Sequence, residues 1–332
     1  MKKEIVYYPF DTGVNQYGQR MKEIFSKFGT IEKLSYRKML TSPFNKKDLG
    51  VVNWVDNQFL NSKGNVSFLG VLKVYLKLVL LKLNCKKIVY IRHNVYPHNT
   101  HPSSIRILTH MTDRLCRFFD TTIVHSPVFS HGFEKYIPHP LYQYPLTKDK
   151  CDKVQRDDDL YIIFGRIVRY KKIDEVIRFF PKNKKLIIAG FCEDELYRDE
   201  LYALVSKNNN IEIISRFLND DEAGRLVESA NAMIISHADE DMIVSGSFFY
   251  ALSQRISIIC VETPFMRWGE KILSSDVVQT ASSIPLMCGL IKQDRKAYIY
   301  TDNKINEINQ LFGDEYIATE MDKILSLSNN GS

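Results

Sequence analysis

Gly165, Arg166 and Lys171 are the residues whose order along the chain most directly suggests chemistry. They follow the apolar run LYIIF and precede IDEVI, where a helix opens near Lys171. A strand ending in glycine, a short basic loop and a helix start would gather free backbone N–H groups, two fixed cations and the positive end of a helix dipole, as a bound diphosphate requires. A solvated basic β–α loop is the plainer reading. A second junction lies in MIISHADEDMIVSGSFFYAL, 233–252, where Ser245, Gly246 and Ser247 stand at an expected helix start and offer N–H groups and hydroxyls to phosphate oxygens. Serine is also an ordinary N-cap. Contributed by two strands of one sheet, the junctions together form a two-sided diphosphate clamp.

Seven of the eight histidines fall between positions 93 and 139. His93, His98 and His101 follow the strand-like KIVYIRH, where imidazoles can orient a hydroxyl, accept a proton or bind a metal. Their spacing fits no helical ligand pair and no nearby cysteine or glutamate completes a set, so no metal is expected. His110, His125 and His131 read as ordinary core or surface histidines. Near the N-terminus, PFDTGVNQYGQRM sets Asp11, Gly13, Asn15 and Tyr17 between a strand and a helix. A carboxylate there can deprotonate an acceptor hydroxyl, or Asp11 can simply cap the helix.

The elements that must position these residues follow from periodicity. EIVYYPF, VVNWV, KIVYIRH and TTIVHS alternate with helical patterns at 15–28, 67–83 and 103–119. LYIIFG, KKLIIAG, IEIIS, NAMIISH and ISIICV then alternate with helical stretches near 172–180, 194–207, 219–229 and 246–254. This is the rhythm of two parallel α/β sheets. The proline- and charge-rich segment 138–159 has no apolar periodicity and reads as a linker. The expected organisation is a domain over 1–150, a second over 151–302, and a helical tail over 303–332 that packs on either domain. Ligands of such sheets sit beyond the carboxyl ends of the strands, so two sheets facing across a cleft would line it with strand-end loops.

Composition narrows the class without naming the function. With 45% apolar and 25% charged residues among 332, the chain is ordinary globular material. A net charge of +6, spread without a block, does not support nucleic-acid binding. Six dispersed cysteines without a Cys-x-x-Cys pair fit a reducing cytoplasm, and MKKEIVYYPFD does not read as a signal peptide. The most hydrophobic stretch, 67–83, is broken by Lys73, Lys77 and Lys82 and is too short to span a bilayer. Two readings of 67–87 stand: a helix dipping into an anionic membrane surface, or a core helix with one lysine-bearing outer face.

The chain resembles the bacterial family 4 glycosyltransferases of the GT-B fold, in particular those that build exopolysaccharide or capsule. The markers are NQYGQRM at 15–21, RHNVYPH at 92–98, IPHPLYQYP at 137–145, FGRIVRYKKIDEVI at 164–177, LIIAG at 186–190 and SGSFFYALSQ at 245–254. The resemblance implies two Rossmann-like domains closing on a nucleotide sugar, the first presenting the acceptor and the second holding the nucleotide. Arg166 and Lys171 match the pair that neutralises the donor diphosphate, and Ser245, Gly246 and Ser247 match the phosphate loop. Phe217 matches the region that contacts the base, His93 the histidine near the donor sugar, and Gly13 the N-terminal loop that approaches the phosphates. Two departures stand out: Lys172 replaces a common glycine, and the usual Glu-x7-Glu pair is broken, since Ser247, Phe248 and Phe249 follow Asp239, Glu240 and Asp241 at that spacing.

The implied activity is metal-independent transfer of a sugar from a UDP- or GDP-sugar, used as substrate with no further cofactor, to a saccharide hydroxyl. The acceptor would be lipid-linked, at the inner face of the cytoplasmic membrane, with Asp11 or His93 orienting or deprotonating it if the reaction inverts. The rivals are an epimerase or phosphorylase on the same architecture, and a non-enzymatic subunit of a polysaccharide assembly complex whose site has decayed.

Overall fold

The computed structural model describes residues 2–13, 16–37, 46–130, 132–143, 156–237 and 242–327. Asn15, His131, Asp239, Glu240, Asp241 and the expected domain boundary at 150 lie outside the described residues. Contacts divide the chain into two units: Met1–Pro140 with Glu240–Val244 and Asn309–Ser332, and Leu141–Asp239 with Ser245–Ile308.

In the first unit, β1 (Lys3–Tyr8), β2 (Gly29–Lys33), β3 (Lys47–Asn53), β4 (Cys85–Arg92), β5 (Thr121–Val124) and β6 (Glu134–Tyr136) form a parallel sheet in the order β2-β1-β3-β4-β5-β6. Its helices are α1 (Gln16–Ser26), α2 (Phe68–Asn84) and α3 (Ile105–Cys116). The β-branched runs at the strand centres are buried, as a sheet covered on both faces demands: Ile5, Val51, Val52, Ile91 and Ile123 are all inaccessible. In α1, Tyr17, Met21, Ile24 and Phe25 share one buried stripe at helical spacing.

The second unit repeats the plan. Strands β7 (Asp157–Phe164), β8 (Lys185–Ala189), β9 (Ile211–Ile214), β10 (Ala230–Ile235), β11 (Ser257–Val261) and β12 (Val278–Ala281) lie in the order β12-β11-β10-β7-β8-β9, again all parallel. The helices between and after them are α4 (Ile173–Phe179), α5 (Glu195–Val205), α6 (Asp220–Glu228), α7 (Gly246–Ser253), α8 (Pro264–Leu273) and α9 (Ile284–Lys292). Asp194, Asn219, Ser245, Thr263 and Ser283 cap five of these helices with side-chain oxygens. The architecture is thus two Rossmann-like α/β units.

The tail forms two helices, α10 (Asp302–Phe312) and α11 (Asp314–Leu327), broken at Gly313. A side chain at Gly313 would stand 2.3 Å from the Asn309 carbonyl oxygen. Within the first unit α11 buries Ile317, Met321 and Leu325, and Asp314 forms a bidentate pair with the buried Arg20 of α1 at 2.6 Å.

No described helix is long and apolar enough to cross a membrane. Helix α2 corrects both of its sequence readings in one respect. Lys77 is on the buried face, donating to Gln58 Oε1 at 2.8 Å with its ammonium over the Tyr8 ring. The solvent face is instead largely apolar.

Candidate nucleotide site and histidine cluster

In both sheets the strand order reverses next to the first strand, and loops diverge there to leave room for a ligand. In the second unit that point lies between β7 and β10, and the two junctions singled out in the sequence follow these two strands.

The loop after β7 is shaped by glycines. Gly165 has φ 106° and Gly190, after β8, has φ 148°; a Cβ on Gly190 would stand 2.1 Å from the Gly165 carbonyl oxygen. The Gly165 N–H donates to Ala189 O at 3.0 Å and the Ile167 N–H to Phe191 O at 2.9 Å, locking the two loops together. The Lys171 ammonium rests beside Gly165, where a Cβ would meet it at 3.3 Å. The Lys171 carbonyl accepts a hydrogen bond from Ser236 Oγ, which follows β10, so the loops are tied across the reversal point.

Lys171 is only 7% exposed, and burial first, then the Arg166 charge, brings its pKa down from 10.5 to about 8. Among the described residues no carboxylate pairs with Lys171, so within them two neighbouring cations concentrate positive potential at this point. Arg166 itself is exposed. Arg169 serves differently: its guanidinium pairs with Asp194 at 2.9 Å and with Glu200 at 2.8 and 3.0 Å, anchoring the loop.

Lys172 takes φ 52° at the start of α4, a left-handed conformation that favours glycine.

At α7, Ser245 Oγ accepts the Phe248 N–H at 3.3 Å, and Ser245 is 2% exposed, so its hydroxyl works as a helix cap. Gly246 is exposed and Ser247 half-buried; their N–H groups are among the donors that a helix start cannot satisfy internally. The Tyr142 hydroxyl lies 3.2 Å from where a Gly246 Cβ would be, a second polar group at this helix start that sequence reasoning missed. Phe217 follows β9 and is 63% exposed. Phe191, directly after LIIAG at the end of the adjacent β8, is a similarly exposed ring and was also missed.

In the first unit the reversal point lies between β1 and β3. Beside it sits a compact cluster. His93, after β4, stacks on Trp54 with centroids 4.4 Å apart and meets the Tyr17 ring edge-on at 4.8 Å. His125 lies 5.6 Å from His93 and 5.4 Å from His139. Trp54 itself has φ 49°, rare for so large a residue.

Backbone carbonyls and amides fix the tautomers. Asn53 Nδ2 donates to Tyr8 O at 3.3 Å, which turns Asn53 Oδ1 toward His93 Nε2 at 3.2 Å. His93 Nε2 is therefore the protonated nitrogen and Nδ1 carries the lone pair. His125 Nδ1 donates to Ile137 O at 2.8 Å, leaving Nε2 to accept the Tyr17 hydroxyl proton at 2.6 Å. Burial, and then the neighbouring imidazoles, hold His93 well below 6.5. Burial also brings His125 down to about 4 and His139 well below its ordinary value. All three rings are neutral at pH 7.

The loop carrying His93 is held by Arg92, whose guanidinium reaches Glu134 at 2.7 Å, Asp113 at 2.9 Å, and the carbonyls of Asn94 and Val95. His98 and His101 are exposed, and the His98 charge adds to what holds His93 neutral. Among the described residues no group of three or more histidine, cysteine or acidic side chains is arranged to hold a metal ion. Asp11 is exposed and pairs with Lys33 at 2.9 Å, which holds its carboxyl below the usual range. Gly13 has φ 57° with open space around it. Among the described residues no recorded contact joins Asp11 to the histidine cluster.

No protein-family model and no curated protein sequence matches this chain. Solved structures do. Alr3699/HepE of Anabaena, in complex with UDP and glucose, superposes with a TM-score of 0.65 at 12% identity, covering 98% of this chain and all of that one. AviGT4, a glycosyltransferase involved in avilamycin A biosynthesis, gives 0.59 at 12% identity over 100% of this chain and 99% of its own. TarM of S. aureus gives 0.61 at 11% identity, over 85% of this chain and 55% of TarM. At such identities the likeness shows the fold, two Rossmann-like units of the GT-B class.

Proposed function

We propose that this chain transfers a sugar from a UDP- or GDP-sugar to a hydroxyl of a saccharide acceptor. The observation that carries the reading is the buried Lys171 ammonium beside Arg166, with no acidic partner among the described residues, at the strand-order reversal of the second unit. A diphosphate would supply the missing negative charge. As the bond from the anomeric carbon to the diphosphate oxygen breaks, charge grows on that oxygen, and fixed cations with the N–H groups of Gly246 and Ser247 stabilise it. UDP in complex with Alr3699/HepE supports the choice of nucleotide class. Exposed Phe191 and Phe217 offer faces on which a base can stack.

On the acceptor side, His93 is neutral and its Nδ1 lone pair is available to a sugar hydroxyl. Asp11 is exposed and its carboxylate is already paired with Lys33, which lowers its basicity. A lipid-linked acceptor and a place in cell-surface polysaccharide synthesis, on the cytoplasmic side, complete the proposal. No metal or further cofactor enters it.

The decayed, non-enzymatic alternative has one specific point in its favour. Where relatives are expected to hold the donor ribose with a carboxylate, this chain has Ser247, Phe248 and Phe249, and both phenylalanines are wholly buried in α7. Calorimetry with UDP and GDP separates the readings. Binding of one, weakened by on the order of 2–4 kcal/mol in Arg166→Ala, supports transfer; binding of neither ends it. A nucleotide sugar incubated without acceptor tests for epimerisation.

A further inference from the structure

The solvent face of α2 carries Phe68, Leu69, Leu72, Leu76, Val79 and Leu83, from 45% to 80% exposed. At about 100° per residue these six fall within one arc of roughly 100° and run the length of the helix. The other face, with Val74, Leu78 and Leu81, is fully committed to the core of the first unit. Scattered exposed leucines are normal, but a continuous stripe of six large apolar side chains marks a surface that something covers.

Charge decides what. The helix contains no acidic residue. Lys73 and Lys82 are exposed, and by the same angular spacing they lie roughly 90° to either side of the stripe's midline, one on each border. Lys82 rests its ammonium on Phe118 O at 3.1 Å, with Asp120 at 3.9 Å offsetting part of its charge. Phe118 packs against Tyr75 of α2, and its exposed neighbour Arg117 adds a cation on the same side. An apolar stripe edged by long cationic side chains matches a bilayer surface, where alkyl stems lie along the apolar layer and charged ends reach phosphates.

We propose that α2 docks this protein on an anionic lipid surface, lying in the interface with Leu72 and Leu76 at the centre of the buried face. The proposal stands on α2 alone, whatever the second unit binds. It is tested by co-sedimentation of the full chain with vesicles of phosphatidylcholine, alone or mixed with phosphatidylglycerol. Binding is expected only with phosphatidylglycerol present, and to fall as salt rises.

Leu72→Ser combined with Leu76→Ser should lower the bound fraction at least about tenfold with the melting temperature unchanged, because both side chains are already solvated. Lys73→Glu should weaken binding by about tenfold, whereas Lys207→Glu, the same charge change in the second unit, should not. Equal binding to both vesicle types, or equal loss from Lys207→Glu, overturns the proposal. So does absence of vesicle binding with a dimer in light scattering that the leucine variants convert to monomer, since a second copy would then be the occupant.

Discussion

Replacing Lys171 with methionine keeps the apolar stem of the side chain and removes its ammonium. In the unfolded chain this lysine has its ordinary value of 10.5, while in the folded protein burial and the Arg166 charge bring it down to about 8. Below pH 8 both states hold the proton, and the folded state bears the full cost of a desolvated charge beside a second cation. Between pH 8 and 10.5 the folded state releases its proton first, and that cost is lifted. The gap corresponds to roughly 3 kcal/mol. Lys171→Met should therefore stabilise the ligand-free second unit by roughly 2–3 kcal/mol at pH 7, an advantage that shrinks as pH approaches 10, while abolishing measurable UDP binding. Urea denaturation followed by fluorescence reads this, with Trp268 in the second unit and Trp54 in the first as separate reporters. If the variant is less stable than the parent at pH 7, or the difference is the same at pH 7 and pH 10, the ammonium is not an unbalanced buried charge and the anion-site argument fails.

The glycine pair gives a steric test. Gly190→Ala puts a Cβ 2.1 Å from Gly165 O at φ 148° and should cost about 3 kcal/mol or more in the second unit, read from the urea midpoint; a loss under about 1 kcal/mol would contradict the locked loops. Lys172→Gly, by contrast, relieves a left-handed lysine at φ 52° and should gain about 0.5–1 kcal/mol after the flexibility of glycine is counted, with a drop in melting temperature as the contrary result. The histidine cluster predicts acid sensitivity. His125 falls from 6.5 to about 4 on folding, so stability is intact above pH 6.5 and lost as pH falls toward 4, by roughly 2 kcal/mol at pH 5 for this residue alone. A melting temperature that stays level from pH 7 to 5 would speak against neutral buried rings, and His125→Gln should flatten whatever slope is found.

The sequence exposed most where the relevant neighbours were close along the chain. The junction from β7 into α4 is one strand, one loop and one helix, so Gly165 and Lys171 could be placed by order alone. Which of the four loop cations binds an anion and which anchors the loop was not legible, because the carboxylates that occupy Arg169 come from Asp194 and Glu200, 25 and 31 positions away. Distance in sequence likewise concealed the ring cluster: His125 and His139 look ordinary until Tyr17 arrives from the start of α1 and His93 from the end of β4. Strands β2 and β12 sit at sheet edges and β6 is three residues long, so their polar or brief sequences lack the apolar run that marks a central strand. For α2, hydrophobicity identified the helix but not its exposed side, since an apolar face reads alike whether the protein covers it or leaves it bare.

The first unit is assembled from three separate stretches of chain, the last of which contributes α11 with its Arg20–Asp314 pair and its buried Ile317, Met321 and Leu325. A fragment ending at the linker would strip that helix away, baring an oily scar on α1 and stranding a guanidinium without its counter-ion. The two lobes therefore cannot be separated by cutting once between them; the N-terminal lobe is finished only after every strand of the second unit has been made and α11 has followed them.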